Sequence, residues 1–188
     1  MLFEIKKYQK PEQPAADSAG ITGDTEQNFC ESERLIEVVN LVDHGKTVHW
    51  KSLGNWSMHQ MLQKLLDKIG PADAWISSYA FSETPARTIC DLKDTGIINN
   101  LYCIIDSRVD VRSASALAMM KNACTELKLC NTHAKITVLK NKEWFLVVGG
   151  SANYTSNKRI EIGYISADAV IANCYKNLIE NELRKDIY

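Results

Sequence analysis

His133-Ala-Lys135-Ile-Thr-Val-Leu-Lys140, then Trp144-Phe-Leu-Val-Val148, then Gly149-Gly-Ser151-Ala-Asn153-Tyr-Thr155, closing on Arg159-Ile-Glu161, is the stretch on which the reading of this chain turns. Along an extended strand, residues two apart share a face. His133 and Lys135 therefore project together, while Ala134, Ile136 and Val138 turn toward a core. Ser151 and Asn153, also two apart, do the same just after the apolar run 144–148. Gly149 and Gly150 allow the backbone to come close to a ligand. If the two strands pair, an imidazole, an ammonium, a hydroxyl and a carboxamide gather at one end of a sheet. That set suits a phosphoryl centre, whose transfer depends mainly on positioning and charge stabilisation. Lys135 would neutralise the non-bridging oxygens, Ser151 and Asn153 would donate to them, and His133 would serve as nucleophile.

Upstream, the apolar spacing alternates between helical and extended. Ser57-Met-His-Gln60 has the form of a capping box. Behind it Met58, Met61, Leu62, Leu65, Leu66 and Ile69 follow helical spacing until Gly70-Pro71. Ser32 is a candidate cap for a helix with Leu35, Val38, Val39 and Val42 on one face, although a hairpin strand competes for this β-branched run. Strands are expected at 47–51, 74–81, 97–105, 127–130, 134–139, 144–148 and 159–165. Helices are expected from Pro85 to near Gly96, over 113–125, and from Asp168 onward. The pattern predicts an α/β fold with a mixed sheet flanked by helices. Residues 9–28 carry two of the four prolines and few large apolar side chains. Residues 1–29 are therefore read as a flexible tail and 30–188 as a single domain.

The 188 residues are 45% hydrophobic and 24% charged, which excludes disorder throughout. No apolar run spans a membrane and the first ten residues lack the core of a signal peptide, so a cytoplasmic protein without stable membrane association is expected. The six cysteines form no CxxC pair, and mostly buried free thiols are expected. Cys124, Cys130 and His133 lack a fourth ligand and finger spacing, so no metal and no cofactor are expected. Net charge is −1, yet residues 131–161 carry five basic and two acidic side chains. That local excess suits a polyanion such as nucleic acid.

The HxK, the apolar strand pair, the GSxN and the acidic residue after it resemble the HKD motif of the phospholipase D superfamily. The resemblance covers residues 131–165 directly. It implies a phospholipase D-like fold and a metal-independent phosphodiesterase, with a nuclease favoured because single-motif members are mostly nucleases. It also implies a site built from two motifs, in which one histidine forms a phosphohistidine and the other protonates the leaving oxygen. With one motif per chain, a homodimer follows, pairing His133 with its twin. Lys135, Ser151 and Asn153 would hold phosphate, and Glu161 would fix the histidine tautomer.

One position departs from the motif: the family's aspartate, five residues after the lysine, is Lys140 here. It keeps open a catalytically silent nucleic-acid-binding module, and a lipid-directed enzyme of the same superfamily is the other alternative. Asn157 and Arg159 are candidate substrate contacts. Glu161 has a second reading, as a surface partner of Arg159 or Lys158. Trp50, Trp56 and Tyr79 are candidates for stacking on bases, with core packing as the competing role.

Overall fold

The computed structural model describes residues 25–156 and 158–185. In chain order the elements are β1 (Glu26–Phe29), α1 (Leu35–Asn40), β2 (Lys46–Leu53), α2 (Met58–Ile69), β3 (Ala72–Ser78), α3 (Glu83–Asp94) and β4 (Ile98–Asp106). There follow α4 (Val109–Arg112), α5 (Ala114–Ala123), β5 (Glu126–Cys130), β6 (Ile136–Lys140), β7 (Phe145–Gly150), β8 (Ile160–Ser166) and α6 (Ala169–Arg184).

α2 forms because its capping box closes, with the Gln60 side chain accepting from the Ser57 N–H at 3.0 Å. All six apolar residues named for its buried stripe are buried. Gly70, at φ 80°, ends the helix in a conformation that suits glycine. The 35–42 run is shorter than its pattern suggests. Its helix starts after Arg34, and Ser32 Oγ instead accepts from the Arg34 N–H at 3.1 Å.

One sheet joins all eight strands in the order β1-β2-β8-β7-β6-β3-β4-β5. β3, β4 and β5 run parallel, the pairings β3-β6, β6-β7, β7-β8 and β8-β2 are antiparallel, and β1 is parallel to β2. On one face, α1, α2, α3 and α5 pack Val38, Met61, Leu65, Ile89 and Met120 over Ile76, Leu101 and Ile105. On the other, α6 lays Ala172, Ile179 and Leu183 on Trp75, Ile104, Val138 and Val147. The mixed α/β sheet with helices on both faces is as expected. No helix among the described residues is long and apolar enough to cross a membrane.

Two expectations need correction. Residues 26–29, assigned to the tail, form β1, which pairs in parallel with β2. The strand escapes an apolar count because backbone pairing to β2, rather than burial of its own side chains, holds it. Of the remainder of the presumed tail, Thr25 is described and residues 1–24 lie outside the described residues. The cysteines are free thiols, but only Cys30 and Cys103 are buried, while Cys174 is exposed.

Candidate active site

The carboxyl ends of β3, β4 and β7 and the starts of β6 and β8 meet at one edge of the sheet, where parallel α/β sheets commonly bind ligands. Residues 131–135 enter there from β5 as irregular chain. Ser77 Oγ donates to the Ala134 carbonyl at 3.2 Å, and the Ala134 N–H donates to Thr132 Oγ1 at 3.2 Å. These bonds tie the loop to the end of β3. His133 and Lys135 lie together, as their spacing predicts: Lys135 Nζ donates to the His133 carbonyl at 2.7 Å and sits 3.3 Å from Nδ1. Burial pushes the Lys135 ammonium below the ordinary lysine range, against the opposing charge of Glu161.

β7 brings the second group. Ile136 pairs with Gly149, and the Gly150 N–H donates to the Lys135 carbonyl at 3.4 Å. Ser151 therefore follows directly beside Lys135. Its N–H donates to the Ile162 carbonyl at 2.9 Å, and its Oγ accepts from the Ile162 N–H at 3.1 Å and donates to Glu161 Oε2. Among the described residues Glu161 makes no hydrogen bond to the His133 ring, whereas Lys135 Nζ lies within hydrogen-bond reach of it. Nor does Glu161 pair with Lys158 or Arg159, because β8 turns it toward Ser151. Arg159 is exposed, with no ion pair among the described residues. Asn157 lies outside them.

Asn153 sits farther back, its Oδ1 3.5 Å from Ser78 Oγ. Tyr154 anchors the loop beneath it. Its ring stacks on Phe81 at 5.0 Å and 6°, and its hydroxyl bonds Thr137 Oγ1 at 2.7 Å. The glycines have a different reason from the one anticipated. A Cβ on Gly150 would stand 2.4 Å from the Ile162 carbonyl oxygen. One on Gly163 would stand 2.3 Å from the Gly149 oxygen and 2.4 Å from the Trp50 ring. These glycines let β7 and β8 close on each other.

On the other side of His133 stands Tyr79, a sequence candidate for stacking on bases, together with Arg108 and Asp106, which sequence reasoning missed. The Tyr79 ring lies 4.7 Å from the imidazole, tilted by 56°. Arg108 Cζ is 4.6 Å from the centre of that ring, and Lys135 Nζ is 5.4 Å from it. Arg108 is fixed by the fully buried Asp106, whose carboxylate accepts from Nε at 2.6 Å and Nη2 at 3.0 Å. The guanidinium holds the Asp106 carboxyl at about 2, below the usual aspartate value of 3.8. An acidic residue ending a parallel strand was the signal available.

The remaining candidates lie elsewhere. Trp50 and Trp56 pack on each other in the core at 4.9 Å. Trp144 is half-buried, with His44 stacked on it at 4.0 Å. No group of three or more His, Cys, Asp or Glu residues among the described residues is arranged to hold a metal, Cys124, Cys130 and His133 included. A cleft of about 740 Å³, lined by Asp73, Trp75, Lys140, Asn141 and Lys142 among others, opens at the opposite end of the sheet.

No protein-family model and no curated protein matches the chain. Solved structures do. Nuc from Salmonella typhimurium, a phospholipase D family member, superposes with a TM-score of 0.56 at 16% identity, over 72% of this chain and 92% of its own. NucT from Helicobacter pylori gives 0.55 at 18% identity, over 72% and 95%. Polyphosphate kinase from Porphyromonas gingivalis gives 0.52 at 11% identity, over 84% of this chain and 28% of the kinase. The mixed sheet, its helices on both faces and the superpositions on Nuc and NucT establish that the chain has the fold of the phospholipase D family.

Proposed function

We propose that the protein is a metal-independent phosphodiesterase, acting on nucleic acid through a phosphohistidine. The observation that carries this reading is the convergence of His133, Lys135 and Ser151 at one sheet end, with Lys135 in contact with both the carbonyl and the ring of His133. A ring nitrogen of His133 attacks phosphorus and the P–O bond to the leaving group breaks. The partner's His133, as imidazolium, gives its proton to the departing oxygen. Water then attacks phosphorus, giving a proton back to the partner's His133, and the P–N bond breaks. Lys135 and the Asn153 carboxamide meet the charge on the non-bridging oxygens. Ser151, held by Glu161, presents its hydroxyl at the same edge.

Two features support pairing of two chains. Each chain carries one such histidine, and α6 leaves the site end of β1, β2 and β8 uncovered. There Phe29, Leu53, Ile160 and Ile162 are 74%, 44%, 73% and 62% exposed on one sheet face. Apolar surface of this kind marks an association site. A groove of about 570 Å³, lined by His49, Ser151, Ile162 and Tyr164 among others, joins this face to the site.

The test is cleavage of labelled single- and double-stranded DNA and RNA in EDTA, with His133→Ala alongside. Cleavage that disappears in the variant, with a phosphohistidine trapped in the wild type, supports the reading. No cleavage of any polymer by folded protein overturns it. Light scattering at micromolar protein tests the dimer, with Ile162→Asp expected to give the mass of one subunit.

A further inference from the structure

Arg112 is a cation without a carboxylate partner among the described residues, and it is held beside the site by an aromatic ring. It lies on α4, one turn after Arg108, and its Nη1 donates to the Tyr79 hydroxyl at 3.1 Å, with Cζ 5.7 Å from the ring centre. Arg108 is different: both arms of its fork bind the buried Asp106, which matches its charge. Arg108 therefore serves to fix the turn and to press its flat face on Tyr79. The remaining N–H groups of Arg112 face solvent, since the residue is exposed. Arg112 and Lys135 are thus two cations within 6 Å of the centre of one tyrosine ring, and only Lys135 lies against His133.

That arrangement argues against Tyr79 as a platform for bases. Its surroundings are already taken by Arg108, Arg112, His133 and Lys135. The ring acts instead as a spacer that sets one cation apart from the other. A guanidinium with free donors in a fork suits a phosphate, and phosphate contacts position a strand without reading its sequence.

We propose that Arg112 binds the phosphate next to the one held at His133 and Lys135, so that the substrate is a strand with consecutive phosphodiesters rather than a lone phosphodiester. This rests on the reading of His133 as the phosphate-attacking residue. It adds to that reading the substrate class: a nucleic-acid strand of several nucleotides, bound through its backbone.

The experiment uses binding, so that it stands apart from turnover. In a His133→Ala background, anisotropy of 3′-labelled thymidine dinucleotide and octanucleotide, and of uridine octanucleotide, is measured across salt concentrations. Adding Arg112→Ala is expected to weaken the octanucleotides about 5- to 10-fold. The dinucleotide, with one phosphodiester, should weaken several-fold less. The slope of log affinity against log salt should fall by about 0.7 for the octanucleotides. Arg112→Lys, which keeps the charge, should restore most of that slope. Equal loss on dinucleotide and octanucleotide, or an unchanged slope, overturns the subsite. Length-dependent binding alongside a wild type that cleaves nothing would uphold the subsite and sink the hydrolytic reading. Cleavage with no length dependence at Arg112 would do the reverse.

Discussion

Lys140 stands opposite Asp73 in the antiparallel pairing of β6 with β3, at the end of β6 away from Lys135. Its ammonium lies 4.7 Å from the centre of the Phe145 ring. The residue that departs from the HKD pattern is therefore a cross-strand partner for an acid, remote from His133 and Ser151. An aspartate there would face Asp73, and like charges directly opposite each other disfavour a sheet. Lys140→Asp should lower stability by about 0.2–1 kcal/mol in urea titration, while cleavage stays within about two-fold of wild type. A ten-fold change in rate would show that position 140 acts on the site after all.

Gly149 on β7 and Gly163 on β8 differ in what a methyl group would strike. At Gly163 the obstacles are a backbone oxygen and the buried Trp50. At Gly149 it is the hydroxyl end of Tyr164, which can swing. Gly163→Ala should cost about 1–3 kcal/mol and also reduce activity, because parting β7 from β8 separates Ser151 from Glu161. Gly149→Ala should cost less on both counts. Thermal melts and rates on the same samples make the comparison, and equal losses would contradict it.

Asp106 links stability to acid. Its folded value of about 2 lies below the usual 3.8, so near pH 3 the unfolded chain binds the more protons at this residue. Its contribution is present in full above about pH 4 and fades as pH falls toward 2. Asp106→Asn should cost about 1.5–3 kcal/mol at pH 7, and the gap from wild type should narrow over that window. Urea midpoints at pH 7, 4 and 3 would reveal it; a gap independent of pH would exclude the linkage.

Glu161 should govern the alkaline side of the rate profile. Burial lowers Lys135 and the Glu161 carboxylate opposes that shift. Glu161→Gln removes the opposing charge, so Lys135 should lose its proton at a lower pH. The descending limb of kcat/KM should move toward neutrality, together with a lower rate at pH 7. A limb that stays in place would detach Glu161 from the lysine.

Much of the architecture was readable because local pattern and global packing agree. The α2 stripe from Met58 to Ile69 and its capping box needed no tertiary information, and the i, i+2 spacing placed His133 beside Lys135 before any strand was paired. β1 was invisible because pairing to β2, not an apolar stripe, makes it a strand. The partner of Glu161 was equally hidden. Whether that carboxylate meets an imidazole or a hydroxyl depends on how β8 registers against β7, which spacing along one strand does not contain. The link from Arg108 and Arg112 to Tyr79 joins the turns after β3 and β4, and only parallel pairing of those strands brings it about.

The sheet order also sets a sequence of assembly. β3, β4 and β5 lie side by side, and β6 and β7 pair locally, but β2 finds its antiparallel neighbour only in β8, with Thr47 opposite Ser166 and Leu53 opposite Ile160. Pairings so distant along the chain are slow to close. On a ribosome, β2 must wait without its antiparallel neighbour until β8 emerges. Pulse-labelled exchange during refolding should find β2 amides among the last protected. The carboxylate that meets Ser151 arrives on that same late strand, so a nascent chain can build most of its sheet before it owns a finished pocket.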